Sequence, residues 1–358
     1  MLNKIKVKIL VSHPIPYFVP LWRELNNYKM IDLQVFFFSK AGLSKTYSNY
    51  WNKEFKWDVN LLDGYNHKFI SYDDHVEIKN RPLGFAKKYL TPIHTDILMV
   101  HGYVDKFSRE GVRYAKKKGI QTILRGPVTS KKKPSRSFLK RILRDLYLKY
   151  FFFNDIDYFL YLGKASYKEY VRLGVTKNKL FHSYYTVDYK NFENQKKIFS
   201  KLKSRKELNI KNKTFVIIIV GAINSRKNHN LLLRAIEHSK FKKNFHLLIV
   251  GDGPKKKEIL DNLNRIQSGE VTFVGFVNQL ELGKYYLAAD LFVFPSFYDS
   301  WGLVLNEAIQ FGLPVLVSNN VSSGEDLVIE GKNGYLFDPN DHIELSNKID
   351  IKYNNKFM

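Results

Sequence analysis

The feature that most constrains this chain is a repeated alternation in its second half. Short apolar runs, TFVIIIVG (214–221), NFHLLIVGDG (244–253), VTFVGFV (271–277), DLFVFPS (290–296) and LPVLVS (313–318), are punctuated by Gly, Pro or Ser. Between them lie helix-patterned segments: HNLLLRAIEHS, KKKEILDNLNRI, LELGKYYLAA and GLVLNEAIQFG. Continuous runs such as VIIIV suit strands covered on both faces, and strands alternating with helices imply parallel βαβ units. The first half repeats the rhythm less regularly in KVKILVS (6–12), IDLQVFFFS (31–39), DILMVHG (96–102), IQTILRG (120–126), DYFLYLG (157–163) and KLFHSYY (179–185). Its clearest helices are FVPLWRELNN and SREGVRYAKKKG (108–119). The expectation is an α/β chain of two doubly wound domains, 1–190 and 214–358. The polar, lysine-rich segment 191–213 reads as an interdomain linker containing a short helix. A length of 358 residues supplies two cores comfortably.

Composition narrows the chemistry. There are no cysteines, which excludes disulfide scaffolds, cysteine nucleophiles and thiolate metal sites. Lys plus Arg is 58 against 34 for Asp plus Glu, a formal charge of +24. Such a field fits a polyanionic partner (nucleic acid, anionic lipid or a phosphorylated substrate), or lysines simply solvated at the surface. The opening MLNKIKVKILVSHP lacks the apolar run and cleavage site of a signal peptide. No stretch has eighteen uninterrupted apolar residues, so no membrane span is expected.

Ligands of open α/β sheets bind beyond the carboxyl ends of the strands. Four such ends, in VGAINSRKN (220–228), VGDGP (250–254), VGFVN (274–278) and PSFYDSWG (295–302), describe one rim. In the last of them, FYDSWG is a loop feeding the helix GLVLNEAIQFG, with Leu303, Ala308 and Phe311 as candidates for its core face. The amides of Ser300, Trp301, Gly302 and Leu303 would then face an anion at the positive end of the helix dipole. Alternatively, Asp299 or Ser300 is only an N-cap. Arg226 and Lys227 precede another helix and would suit a diphosphate, or are solvated surface charges.

Taken in order, GAINSRKNHNLLLRAI, LLIVGDGP, VTFVGFV, AADLFVFPSFYDSWGLVLNEAIQFGLPVLVS and EGKNGYLFDPND resemble the retaining glycosyltransferases of the GT-B fold, the family-four or group 1 type. LGVTKNKLFHSYYTVDYKNF (173–192) is similar to the family's approach to its interdomain linker. The resemblance covers roughly 170–342 and is fainter over 1–126. It implies two Rossmann-like domains facing a central cleft. The family's acid-x7-acid motif falls on Asp299 and Glu307. By resemblance, Asp299 would bond hydroxyls of the donor sugar and Glu307 the ribose of the nucleotide. Lys227, with Arg226, would neutralise the diphosphate, near Gly221. The backbone of Gly275, Phe276 and Val277 would lie near the base. The implied co-substrate is a nucleotide-sugar, UDP- or GDP-linked, with no cofactor and no catalytic metal. DID (155–157) is accordingly not read as a metal-binding D-x-D motif. This sequence departs from the family in having Asp299 where Glu is usual and Ala222 where Arg is frequent. It also stops at KIDIKYNNKFM, where the family usually continues with helices that cross back onto the first domain.

The acceptor is expected on the first half, at strand ends carrying His13, Tyr17, His101 and Arg125. The basic, aromatic stretch 129–153 places Phe138, Ile142, Leu146 and Tyr150 on one helical stripe among Lys132, Lys133, Arg136, Lys140, Arg141 and Arg144. Such a helix suits an anionic membrane surface, or packs on the domain with a solvated basic face. The leading expectation is a cytoplasmic enzyme, peripheral on the inner face of the plasma membrane. It would serve bacterial capsule, O-antigen or exopolysaccharide assembly with a glycan or polyprenyl-diphosphate-linked acceptor. A catalytically impaired GT-B relative acting as a scaffold is one alternative. A basic nucleic-acid-binding protein is another, although neither zinc-finger spacing nor an RNA-recognition signature is present.

Overall fold

A computed structural model of the chain describes residues 4–71, 84–126, 128, 138–263 and 269–357. Its contacts divide it into two units. The first comprises Met1–Tyr47 and Glu54–Tyr185, and the second Ser48–Lys53 and Thr186–Met358.

The first unit is built on a seven-stranded sheet. Its strands are β1 (Ile5–Val11), β2 (Ile31–Phe37), β5 (His67–Phe69), β6 (Ile97–His101), β7 (Gln121–Arg125), β8 (Tyr158–Tyr161) and β9 (Leu180–His182). The short β3 (Thr46–Ser48) and β4 (Lys53–Phe55) pair separately. The main sheet runs in the order β5-β2-β1-β6-β7-β8-β9, every pairing parallel. Successive residues of a strand face opposite sides. Leu10 thus joins Phe36, Leu98 and Leu124 in one core, while Ile9 and Val11 join Val35, Phe37 and Trp22 in the other. Helices α1 (Val19–Asn27), α2 (Phe85–Tyr89), α3 (Lys106–Lys117), α4 (Phe138–Tyr147) and α5 (Lys164–Arg172) accompany this sheet.

The second unit carries a six-stranded parallel sheet in the order β12-β11-β10-β13-β14-β15. These strands are β10 (Phe215–Val220), β11 (Phe245–Val250), β12 (Glu270–Gly275), β13 (Leu291–Phe294), β14 (Val315–Ser318) and β15 (Gly334–Phe337). Every residue of β10 is buried, as a strand with helices on both sides requires. Val216, Ile218 and Val220 enter one core and Phe215, Ile217 and Ile219 the other.

Segment 191–213, expected as a linker with a short helix, contains most of α6 (Tyr189–Ile198) and all of α7 (Lys201–Glu207). Both are bonded to the second unit. The Gln195 amide donates to the carbonyl of Gln279 at 2.8 Å and accepts from the amide of Gly283 at 2.7 Å. Arg205, 1% exposed, donates to Asp290 at 2.6 Å and to the carbonyl of Ala288 at 2.9 Å. These polar anchors explain the difference: residues that read as linker polarity are hydrogen-bonding partners for a neighbouring helix and loop. The remaining helices are α8 (His229–His238), α9 (Lys256–Leu263), α10 (Leu282–Ala288), α11 (Leu303–Gln310), α12 (Gly324–Leu327) and α13 (His342–Phe357).

In each sheet the strand order reverses once, between β1 and β6 in the first and between β10 and β13 in the second. Such reversals open a crevice at the carboxyl ends of the strands, because the flanking connections leave in opposite directions.

Candidate active site

The second unit's reversal point lies between the loops that follow β10 and β13. After β10 the chain turns through Gly221, at φ 142°, and Asn224 closes a single turn of 3-10 helix by accepting from the Lys227 amide at 3.2 Å. That turn delivers Arg226 and Lys227 side by side. After β13 the loop carries Asp299, whose backbone pairs with that of Val321. The two loops meet at the Asp299 carboxylate. Its Oδ2 accepts from Lys227 Nζ at 2.8 Å and from Arg226 Nη1 at 2.6 Å. Burial opposes ionisation of Asp299, but the Lys227 and Arg226 charges outweigh it and hold the carboxyl below its ordinary value. Lys227 also lies 4.5 Å from the centre of the Phe294 ring, a favourable cation–π position. The Arg226 guanidinium is further held by the hydroxyl of Tyr50 and stands over the rings of Tyr50 and Tyr298.

Beyond Asp299 the chain enters α11. Neither Asp299 nor Ser300 caps the helix. The N-cap is Gly302, at φ 91°, with no side-chain cap. A Cβ at Gly302 would stand 2.4 Å from the Phe294 ring, so both the backbone angle and the space demand glycine. Trp301 is buried and donates its indole N–H to Asn306 at 2.9 Å. Leu303, expected on the core face, is only half-buried. Leu305 is fully buried in its place, because the helix begins after Gly302 and its inward face is set by Leu305 and Ala308. Phe311, also expected there, is half-buried and packs against the core from the helix end.

Glu307 is 0% exposed. Its Oε2 accepts from the hydroxyl of Tyr286 on α10 at 2.8 Å. The two acids of the motif are therefore served by different elements: Asp299 by the loop after β10, Glu307 by α10.

The loops after β11 and β12 complete the edge. A Cβ at Gly251 would come within 1.9 Å of the Gly221 carbonyl oxygen, and one at Gly253 within 2.5 Å of that of Ile223. The backbones of the two loops thus approach too closely for any side chain to stand between them. Gly275, at φ 84°, has open space where a Cβ would be. Phe276 follows it and packs on Trp51, with ring centres 5.0 Å apart, while Lys53 Nζ stands 5.3 Å from the centre of the Phe276 ring. Val277 packs against the core of the unit. Ala222, where an arginine was a family expectation, is buried, and Arg226 is the arginine that reaches Asp299.

The sequence reading missed Tyr50, Phe294, Tyr298, Tyr286 and His229. His229 opens α8 and is buried with no partner for either ring nitrogen. Burial, aided by the neighbouring Lys227 charge, lowers its pKa to about 3. Only its place directly after Arg226-Lys227-Asn228 hinted at a role.

In the first unit, His13 and Tyr17 lie in the loop after β1, and His101 and Arg125 end the adjacent strands β6 and β7. The ring of His13 bonds the Ser12 hydroxyl at 2.9 Å, and His101 stacks on Phe18 with ring centres 4.3 Å apart. Arg125 is 3% exposed. Asp157 of the DID triplet accepts from the Thr122 amide at 2.9 Å, which ties the start of β8 to β7. Of the basic stretch, Lys132, Lys133 and Arg136 lie outside the described residues. On α4, Phe138, Leu139 and Leu143 are exposed, beside Lys140 and Arg141. Arg144 is not part of a solvated face. It pairs with buried Glu169 at 3.0 Å and with Asp145 at 2.5 Å, because α5 packs against that side of α4.

Comparison with known proteins gives this geometry a context. Residues 200–356 match the family model described as glycosyl transferases group 1. Among curated relatives, an uncharacterized 41.2 kDa protein in the cps region of Klebsiella pneumoniae is 29% identical over 197 residues, 53% of this chain and 52% of that protein. Alpha-monoglucosyldiacylglycerol synthase of Acholeplasma laidlawii is 34% identical over 155 residues, 42% of this chain and 38% of that enzyme. The chain thus spans about half or less of the length of these relatives. Among solved structures, Anabaena HepE in complex with UDP superposes with a TM-score of 0.72 at 17% identity, over 98% of this chain and 91% of that one.

Proposed function

We propose that the chain, which has the two-domain α/β fold of GT-B glycosyltransferases and whose residues 200–356 match the model for glycosyl transferases group 1, transfers a sugar from a nucleotide-sugar to a glycan or lipid-linked acceptor. The observation that carries the reading is the convergence of Arg226 and Lys227 on Asp299 at the reversal point of the second sheet. Cleaving a glycosyl–phosphate bond builds positive charge on the sugar and negative charge on the departing diphosphate. Two cations fixed in advance by a carboxylate need no reorganisation to receive that diphosphate. Asp299, already held between them, would face the sugar hydroxyls, and Glu307, fixed by Tyr286, the ribose. Protein cations so placed would stabilise the leaving group; retention of anomeric configuration and independence of a metal ion are proposed from the family resemblance.

The donor is proposed to be UDP- or GDP-linked, in keeping with a fold neighbour that binds UDP. The relative in a cps region supports a role in surface polysaccharide assembly, and the diacylglycerol-linked product named for the Acholeplasma enzyme supports a lipid-borne acceptor. The exposed apolar and basic residues of α4 suit contact with an anionic bilayer from one side. No helix among the described residues is long and apolar enough to cross a membrane.

A thermal-shift panel of UDP-, GDP-, ADP- and CMP-sugars tests the donor reading, because a ligand that binds the folded state raises its apparent stability. One of the four should raise Tm in a way that Lys227→Ala abolishes. No response to any of them would overturn the assignment.

A further inference from the structure

Arg125 poses a physical problem that the donor site does not solve. It ends β7 and is 3% exposed. Its Nε donates to the Ser183 hydroxyl at 3.0 Å and one terminal nitrogen to the Tyr184 carbonyl at 3.2 Å. Its other terminal nitrogen, Nη1, is enclosed with no hydrogen-bond partner. Among the described residues Arg125 makes no ion pair. The rings of Phe18 and Tyr185, 5.7 and 5.1 Å from the guanidinium carbon, offset only part of a buried charge. A guanidinium so placed, with neutral partners and a free N–H, is costly unless an anion meets it.

A second group points to the same place. His101 is the parallel neighbour of Arg125 in the strand register. It is partly exposed as a residue, yet its Nε2 is enclosed and equally unpartnered. Burial, and then the Arg125 charge, keep its pKa well below 6.5, so the ring is neutral and can offer an N–H from whichever nitrogen carries it. A glycine follows each strand. Gly102, after His101, has open space where a Cβ would lie. The pair stands at the carboxyl edge of the sheet, beside the reversal between β1 and β6, where a small molecule is best admitted.

We infer that Arg125 and His101 form an oxyanion-binding point in the first unit, taking a phosphate or carboxylate group carried by the acceptor. A planar fork with one edge free matches either group, because each presents oxygens to adjacent N–H donors. The inference rests on the acceptor being bound by the first unit.

The test is anion binding by the full chain at constant ionic strength, read by calorimetry and thermal shift. The probes are inorganic phosphate, glucuronate and, as a neutral control, glucose. A Lys227→Ala background removes one of the two donor-site cations from the signal, and the comparison with and without Arg125 cancels the share of Arg226. At least one anion should bind and raise Tm in that background, glucose should not, and adding Arg125→Gln should weaken binding about tenfold or more, the worth of one charge-assisted hydrogen bond. Ser183→Ala, which leaves the charge in place, should retain the response. A phosphate response assigns a phosphorylated acceptor, and a glucuronate response an acidic sugar. Equal binding with and without Arg125, no response to either anion, or a response already lost in Lys227→Ala would overturn the inference. Should Arg125→Gln fail to fold, the guanidinium 15N resonance of Arg125 in the unmutated chain must shift on adding the anion, and an unmoved resonance would equally overturn it. Nucleotide-sugar binding is measured separately, so its failure sinks the donor reading and leaves this point standing, while the converse leaves the donor reading intact.

Discussion

Lys227 Nζ lies 2.8 Å from Asp299 Oδ2, and each side chain is largely enclosed, at 8% and 12% exposure. This pair joins the loops after β10 and β13 across the point where the strand order reverses. It is at once the electrostatic lock of the two loops and the seat proposed for the diphosphate.

Removing one partner leaves the other buried without its counter-charge. Asp299→Asn should therefore lower stability by about 3 kcal/mol. Urea denaturation followed by circular dichroism measures this. A change within about 0.5 kcal/mol would mean that solvent already screens the pair.

Arg226→Ala has a different expected signature. Arg226 is more exposed than Lys227, at 23%, and its removal leaves Lys227 on Asp299. The donor KM should rise about tenfold or more, as expected for one charge-assisted contact to phosphate, with little change in Tm. Unaltered donor kinetics would remove Arg226 from the site.

The hydroxyl of Tyr286 is a bonded partner of fully buried Glu307. Tyr286→Phe should destabilise the fold by about 2 kcal/mol, since a buried carboxylate loses a donor. Pairing it with Glu307→Gln in a double-mutant cycle should give a non-additive remainder. Strict additivity would show that the bond contributes nothing.

His229 sets an acid limb on stability. Its folded pKa is depressed to about 3 from 6.5, so between those values the unfolded chain binds a proton that the folded chain refuses. Stability should fall by about 1.4 kcal/mol for each pH unit as pH drops through that window, and be insensitive to this group above it. His229→Leu should flatten that slope by one proton's share. An unchanged slope between pH 6.5 and 4 would contradict the burial of an unpartnered imidazole.

Leu139 and Leu143 are 62% and 57% exposed on α4. If this face meets a bilayer, Leu143→Glu should weaken flotation with anionic liposomes about tenfold, the effect of withdrawing one leucine side chain from apolar surroundings. Equal flotation of the variant would assign the face to something other than lipid.

The alternation of short apolar runs and helices made both sheets legible, because burial on two faces leaves a continuous apolar signature. The spacing of Asp299 and Glu307 and the Arg226-Lys227 pair were legible as well, being local. What escaped were contacts between distant segments. Tyr286 is 21 positions from Glu307, and Tyr50 is 176 from Arg226. No periodicity encodes such pairs. The polarity of 191–213 reads as that of an interdomain linker with a short helix, whereas Gln195 and Arg205 direct their polar groups inward. The strands β3, β4 and β5, three residues each, are too short to show a period at all.

The contact of Gly251 with the carbonyl of Gly221 reaches beyond the conformational freedom of either residue. These two loops meet backbone to backbone, with no side chain to compress between them. A side chain introduced at Gly251 would have to push the turn before Lys227 away, so a change in one loop is felt in the other. Variation selected at this edge would therefore have to be sought in the side chains it carries, such as Phe276 and Tyr298, while the pair of glycines beneath stayed fixed through every round.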